Sequence, residues 1–231
     1  MKAIRTITID LDDTLWAIQP VIERAERKLY EWLGDEYPRV TEMFSQDEIG
    51  KLRENIVTEY RGKSHDFTFL RRAVLGRLGA AAGYGVGIVD RAMGYFDPLR
   101  NDVELFPEVR PALGALGEHY CVIAVTNGNA SLDQIGIRDL FDDVISASGV
   151  GAAKPDRQIF DIAVEAGGAD AHETLHVGDH PEVDVVGAQN AGLKSVWVNR
   201  HGSAWPDHLQ DPDAIVKDVG ELLSLLGVRQ K

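Results

Sequence analysis

Residues 4–16 read IRTITIDLDDTLW, a run of alternating β-branched residues that stops abruptly at three carboxylates. The β-branched content of residues 4–9 predicts a buried strand, so Asp10, Asp12 and Asp13 arrive together at its C-terminal end. In an open parallel sheet that edge is where ligands bind. Three carboxylates in four positions repel one another, and a bound cation would relieve the repulsion. Asp10 and Asp12 lie two apart. If the extended conformation persists past the strand, both side chains leave on one side, and one can attack while the other handles a proton. Taken alone, the pair serves equally well if Asp12 or Asp13 merely caps the next helix. The rest of the chain has to decide.

At 231 residues the chain suits one sizeable core plus a smaller appended domain, and 44% hydrophobic residues excludes a disordered chain. A formal net charge of −13 argues against nucleic acid and anionic membrane as partners, since both demand a cationic surface. A substrate phosphate would have to be met by locally placed cations and a metal. The single cysteine, Cys121, lies in an apolar run and suits a core position in a reducing compartment. With no signal-like apolar segment at the start and no apolar run long enough to span a bilayer, the expectation is a cytoplasmic protein.

After Trp16 the pattern turns helical as far as about Asp97. Pro20–Leu33 carries a period-3.6 apolar stripe, and further helices are predicted near 38–44, 46–60, 67–79 and 85–96. From Val103 onward short apolar runs alternate with amphipathic helices. Strands are expected at 121–126, 143–147, 174–177, 195–199 and 214–216, with helices from Pro107, around 132–140, from Pro155, and at 181–191 and 218–226. That alternation implies right-handed βαβ units. The fold class expected is α/β, a Rossmann-like doubly wound parallel sheet (residues 1–15 and 98–231) with an all-helical cap (16–97) inserted after the first strand.

In a parallel sheet every strand ends at one edge, and the expected strand ends carry further polar groups. Thr126-Asn127-Gly128 follows the second strand, and its hydroxyl and backbone N–H groups suit phosphate oxygens as well as an ordinary turn. Lys154 precedes a helix that opens with Pro155, from where its ammonium can reach the crevice, although taken alone it suits a solvated surface lysine as well. Asp179 and Asp184, after the fourth strand, act as helix-terminal acids or supply the hard oxygen ligands of a Mg²⁺ site.

These four groups, in this order, resemble the haloacid dehalogenase superfamily of phosphohydrolases. Asp10, Asp12 and Thr14 match its first motif, Thr126 its second, Lys154 its third, and Gly178, Asp179 and Asp184 its fourth. The helical insert resembles the type-one cap of that family. The resemblance implies Asp10 as the nucleophile that forms an aspartyl-phosphate, and Asp12 as the acid that protonates the leaving oxygen and then activates water. It implies Mg²⁺ on Asp10, Asp179 and the Asp12 main-chain carbonyl, with Asp184 acting through water or by orienting its neighbours. It makes Thr126, the Asn127 amide and Lys154 the groups that stabilise the phosphoryl charge. His180 departs from the pattern, standing where an acid or small polar residue is expected.

The implied activity is Mg²⁺-dependent hydrolysis of a small-molecule phosphate ester by a monomer or homodimer. Sugar-phosphate or phosphoglycolate phosphatase, phosphomutase and haloacid dehalogenase are alternatives on this scaffold, and a phospho-accepting binding module is the non-enzymatic one. The superfamily's dehalogenases lack the second motif-one acid and need no metal. Substrate contacts are expected from Trp16 and Ile18, from the basic loop Arg61–His65, and from Arg71 and Arg72, with Asp66 as a helix cap. The stretches 7–26, 124–129 and 175–179 and His65-Asp66-Phe67-Thr68 resemble bacterial phosphatases of flavin mononucleotide and of phosphorylated ribityl-aminouracil. For such substrates Trp16 either stacks on the flat ring or packs the hinge.

Overall fold

The computed structural model describes residues 4–228, which divide into two compact units, 4–17 with 104–128 and 136–228, and 18–103 with 129–135. The first unit is built on six parallel strands: β1 (Thr6–Ile9), β2 (Cys121–Thr126), β3 (Asp143–Ser146), β4 (Thr174–Gly178), β5 (Lys194–Val198) and β6 (Ala214–Val216), in the order β3-β2-β1-β4-β5-β6. The order reverses at β1. Chain connections therefore leave the sheet in opposite directions on either side of it, and a crevice opens beyond the carboxyl ends of β1, β2 and β4. Ile9 lies level with Ala124 of β2 and Val177 of β4, so Asp10 emerges between the two neighbouring strand ends.

All four residues of β1 are buried. Ile7 and Ile9 alternate with Thr6 and Thr8, whose hydroxyls each find a partner. Thr6 donates to the Gly167 carbonyl (3.1 Å), and Thr8 is 2.8 Å from His176 Nδ1. Gly167 is the last residue of the helix Arg157–Gly167, and a Cβ there would come within 2.5 Å of Thr6 Cγ2, so only glycine permits this approach of helix to strand. Ile123, Val125, Ile145, Ile159, Phe160 and Ala163 form the apolar layer between sheet and helix.

The second unit consists of α1 (Ile18–Glu36), α2 (Pro38–Met43), α3 (Gln46–Glu59), α4 (Phe67–Ala81) and α5 (Gly87–Arg100), closely following the periodicity of the sequence. Val21, Ala25, Leu29 and Leu33 form the buried stripe of α1. Leu70, Val74, Leu78, Ile88, Met93 and Phe96 are among the buried residues that meet it. Each such large side chain contributes about 1.5–3 kcal/mol on burial. Ser45 and Glu48 close a reciprocal capping box at α3, and Asp66 caps α4 by accepting from Phe69 N–H at 2.9 Å. No helix among the described residues is long and apolar enough to cross a membrane.

The unit boundaries differ from the expected 16–97. Trp16 stays with the sheet because it bridges to Asp12 and Leu105, and α5 runs on through Pro98 to Arg100. Residues 129–135 join the helical unit because Arg100 Nε donates to Asn129 Oδ1 (3.0 Å) and Ser131 N–H to Asn101 Oδ1 (2.8 Å). The helix expected over 132–140 splits into Leu132–Ile135 and a 3-10 turn at Arg138–Leu140, because Gly136 between them has φ 77°. The helix expected over 181–191 begins as a π-turn, Pro181–Val186, before Gly187–Asn190.

Candidate active site

Asp10, the first residue past β1, is 7% exposed. Its main-chain N–H donates to the Val177 carbonyl (2.9 Å), which ties the start of the loop to β4. The Lys154 ammonium donates to Asp10 Oδ1 (2.5 Å) and to the Val125 carbonyl (2.9 Å), and it pairs with Asp184 Oδ1 (2.7 Å). Thr14 donates its hydroxyl to Asp10 Oδ2 (3.2 Å) and lies 3.4 Å from Asp179 Oδ1, so one side chain spans the carboxylates of the first and fourth motifs.

The electrostatics follow from burial. Desolvation raises the Asp10 pKa well above the ordinary value, and Asp184 and Asp179 add to the rise against the opposing Lys154 ammonium. Burial likewise pushes Asp179 up to about 7, helped by Asp184 and Asp13. Burial also acts against ionisation of Asp184, but Lys154 and His176 overcome it and hold this carboxyl below the usual range. Asp10 and Asp184 keep Lys154 protonated in spite of its own burial. Three carboxylates thus face one ammonium.

Asp10, Asp179 and Asp184 each offer an oxygen, all within 4.8 Å of one another. That donor set fits Mg²⁺, a hard cation that takes oxygen ligands and would neutralise the excess negative charge. Both oxygens of Asp184 are already engaged, Oδ1 by Lys154 and His176 (3.2 Å) and Oδ2 by the His180 main-chain N–H (3.0 Å). Both oxygens of Asp10 are engaged as well, Oδ1 by Lys154 and Oδ2 by Thr14, so Asp179, approached among the described residues only by Thr14 at 3.4 Å, is the least engaged of the three carboxylates. The Asp12 carboxylate is not part of the triad.

Thr126 is buried, and its hydroxyl accepts from Gly128 N–H (2.9 Å), which leaves the hydroxyl proton to donate. The side chain of Asn127 is engaged with the Lys154 backbone. Its Oδ1 accepts from Lys154 N–H (2.8 Å) and its Nδ2 donates to the Lys154 carbonyl (2.9 Å), so it holds the lysine's backbone in place. Trp16, left open between a stacking and a packing role, lies in the same loop as Asp12. It is fully buried, and its Nε1–H donates to Asp12 Oδ1 (2.9 Å), so the ring is no open wall for a flat substrate.

The basic residues expected to contact substrate separate by environment. Arg71 is mostly buried, pairs with Glu26 (2.8 Å) and stacks 3.5 Å from the Phe96 ring centroid. With Glu26 and Arg53 it lines a cavity of about 480 Å³ formed by helical-unit residues alone. Arg72 pairs with Asp90 at the surface, and Arg61 and Lys63 lie exposed on a 3-10 turn.

Sequence reasoning missed His176 and Trp197. Buried His176 links the Thr8 hydroxyl to Asp184, with its pKa lowered by burial, and Trp197 donates Nε1–H to the Asp179 carbonyl (2.7 Å). The only available signal was a polar ring inside a β-prone run, which more often marks a satisfied core residue.

A doubly wound sheet thus gathers a buried aspartate, a lysine pinned to it and two further acids at its switch point. The chain belongs to the haloacid dehalogenase-like hydrolases, whose family profile matches residues 4–192. It is 28% identical over 96% of both chains to the 5-amino-6-(5-phospho-D-ribitylamino)uracil phosphatase of Escherichia coli K12. It is 30% identical to the glyceraldehyde 3-phosphate phosphatase of Methanopyrus kandleri, over 85% of this chain and 84% of that one. The crystal structure of a 2-haloacid dehalogenase from Pseudomonas syringae pv. tomato DC3000 superimposes with a TM-score of 0.91 at 35% identity, over 97% of this chain and 98% of that one.

Proposed function

We propose that this protein is a Mg²⁺-dependent phosphomonoester hydrolase acting on a small phosphorylated metabolite through an aspartyl-phosphate on Asp10. The observation that carries the reading is the pair of acidic groups a dehalogenase would not need: Asp12 two residues past the nucleophile, and the Asp10–Asp179–Asp184 cluster suited to a divalent cation. Asp10 attacks phosphorus, and the Lys154 ammonium that donates to its Oδ1 opposes the burial that raises this carboxyl's pKa. Thr126 and the main-chain N–H groups after β2 hold phosphate oxygens, with Lys154 adding positive charge beside the transferring group. Asp12 gives a proton to the leaving oxygen and later takes one from water. Bound on Asp10 and Asp179, with the Asp12 main-chain carbonyl as a further donor, Mg²⁺ would supply charge neutralisation between these carboxylates and a substrate dianion.

For the substrate, the uracil-ribityl phosphatase relative supports a phosphorylated ribitylaminouracil or flavin mononucleotide, and the glyceraldehyde 3-phosphate phosphatase supports a short sugar phosphate.

A second reading, 2-haloacid dehalogenase, has its own support in the superposition on the Pseudomonas syringae enzyme. There Asp10 would attack carbon, expel halide and form an ester that water hydrolyses. Release of phosphate from p-nitrophenyl phosphate and of chloride from 2-chloropropionate, each with and without chelator, separates the two. The proposal expects chelator-sensitive phosphate release, abolished in Asp10→Asn; chloride release without phosphate release would refute it.

A further inference from the structure

The segment after the nucleophile closes on itself. Leu15 N–H donates to the Leu11 carbonyl and Asp13 N–H to the Trp16 carbonyl, both at 2.8 Å, while Asp13 takes a left-handed φ of 63°. Residue 16 thereby returns beside residue 12 as an isolated bridge. Trp16 bridges in turn to Leu105, and Phe106 N–H donates to the Leu15 carbonyl (3.0 Å). The Trp16 ring has no exposed surface, so its N–H needs a partner within the protein, and the one it finds is Asp12 Oδ1 at 2.9 Å. A hydrogen bond to a carboxylate is stronger and more directional than one between neutral groups. Asp12 is only partly buried, so packing alone holds it less tightly than Asp10 and Asp184.

We propose that Trp16 is a positioning residue for proton transfer: its buried indole N–H, donated to Asp12 Oδ1, fixes the carboxyl orientation from which Asp12 exchanges protons with the reacting oxygens. The inference rests on the phosphatase reading. In the first step a bond forms between Asp10 and phosphorus, the ester P–O bond breaks, and the Asp12 proton passes to the departing oxygen, which leaves as an alcohol. In the second, a water oxygen bonds to phosphorus, its proton passes to Asp12, and the bond to Asp10 breaks to release phosphate. Proton delivery matters most in the first step when the leaving oxygen is strongly basic. An alkoxide needs the proton, whereas p-nitrophenolate departs without it.

The test compares kcat/KM, which reports the first step, for p-nitrophenyl phosphate and for n-propyl phosphate. The proteins are wild type, Trp16→Phe, and the protein carrying benzothienylalanine at position 16, a ring of the same shape without the N–H. Aligned acid catalysis contributes roughly 10²–10⁴-fold, so loss of alignment should lower kcat/KM on the alkyl ester about tenfold more than on the aryl ester, in both variants. Asp12→Asn should show the same selectivity more strongly. Equal losses on the two esters, or wild-type selectivity with the benzothienyl ring, would overturn the positioning role and leave the phosphatase reading standing. A wild-type protein that hydrolyses neither ester refutes that reading and the inference with it.

Discussion

Replacing Lys154 by methionine keeps most of the side-chain volume and removes an ammonium that is 1% exposed and bonded to Asp10, Asp184 and the Val125 carbonyl. Two buried carboxylates would then face each other with no cation between them, a situation that costs about 3–5 kcal/mol when one partner of a buried pair is deleted. At about 2–4 °C per kcal/mol for a chain of this size, the melting temperature in excess chelator at pH 8 should fall by roughly 6–20 °C. The loss must depend on pH. Without Lys154, burial and mutual repulsion raise the pKa of both carboxyls, so the folded variant retains protons that the unfolded chain has released. Its deficit therefore grows as pH rises through the raised values, by about 1.4 kcal/mol per pH unit for each retained proton. Between pH 8 and pH 5 one retained proton is worth about 4 kcal/mol, enough to remove most of the deficit. The assay is thermal unfolding followed by circular dichroism at the two pH values, with phosphatase activity lost at both. A deficit equal at pH 5 and pH 8 would refute the electrostatic argument and point to packing.

Asp12→Asn should retain Mg²⁺-dependent stabilisation and lose about 10²-fold or more in kcat, because it removes proton transfer and spares the acidic triad; a loss of the metal's stabilising effect in a melting assay would show the assignment to be wrong. The Asp179 pKa is raised from 3.8 to about 7, so the stability it contributes is complete below about pH 4 and is lost as pH rises toward 7, by an amount on the order of 2–4 kcal/mol. Added Mg²⁺ should therefore raise the melting temperature more at pH 8 than at pH 5, and Asp179→Asn should flatten that difference; a Mg²⁺ effect independent of pH would contradict it. A Cβ at Gly178 would lie 2.3 Å from Asp184 Cγ, so Gly178→Ala must displace the carboxylate that holds Lys154 and His176. It should cost about 1–3 kcal/mol and weaken Mg²⁺ activation severalfold, measured as the half-saturating Mg²⁺ concentration, which would stay at the wild-type value if Asp184 had no part in the metal site.

What was legible in the sequence is what short-range physics controls. Alternating β-branched residues marked β1 and placed Asp10 at its end, the apolar stripe of Pro20–Leu33 lay on α1, and Asp66 capped α4 because the carboxylate sits three residues before the amide it accepts from. The strand-helix alternation beyond Val103 implied a parallel sheet, and matching motifs put Asp10, Lys154, Asp179 and Asp184 at one edge. Other features rest on pairings between residues far apart in the chain, where no local periodicity carries information. Lys154 meets Asp10 across 144 positions, and His176 meets Thr8 across 168. Local pattern could not show that Asn127 spends its side chain on the backbone of Lys154, or that residues 129–135 fold with the helical unit. The same limit applied to Trp16. An aromatic beside a catalytic loop reads equally well as an open platform or a buried support, and the choice fell to the turn that closes residue 16 onto residue 12. That turn, pinned to Leu105 and Phe106 from a segment almost ninety positions away, encloses the ring and points its N–H at Asp12.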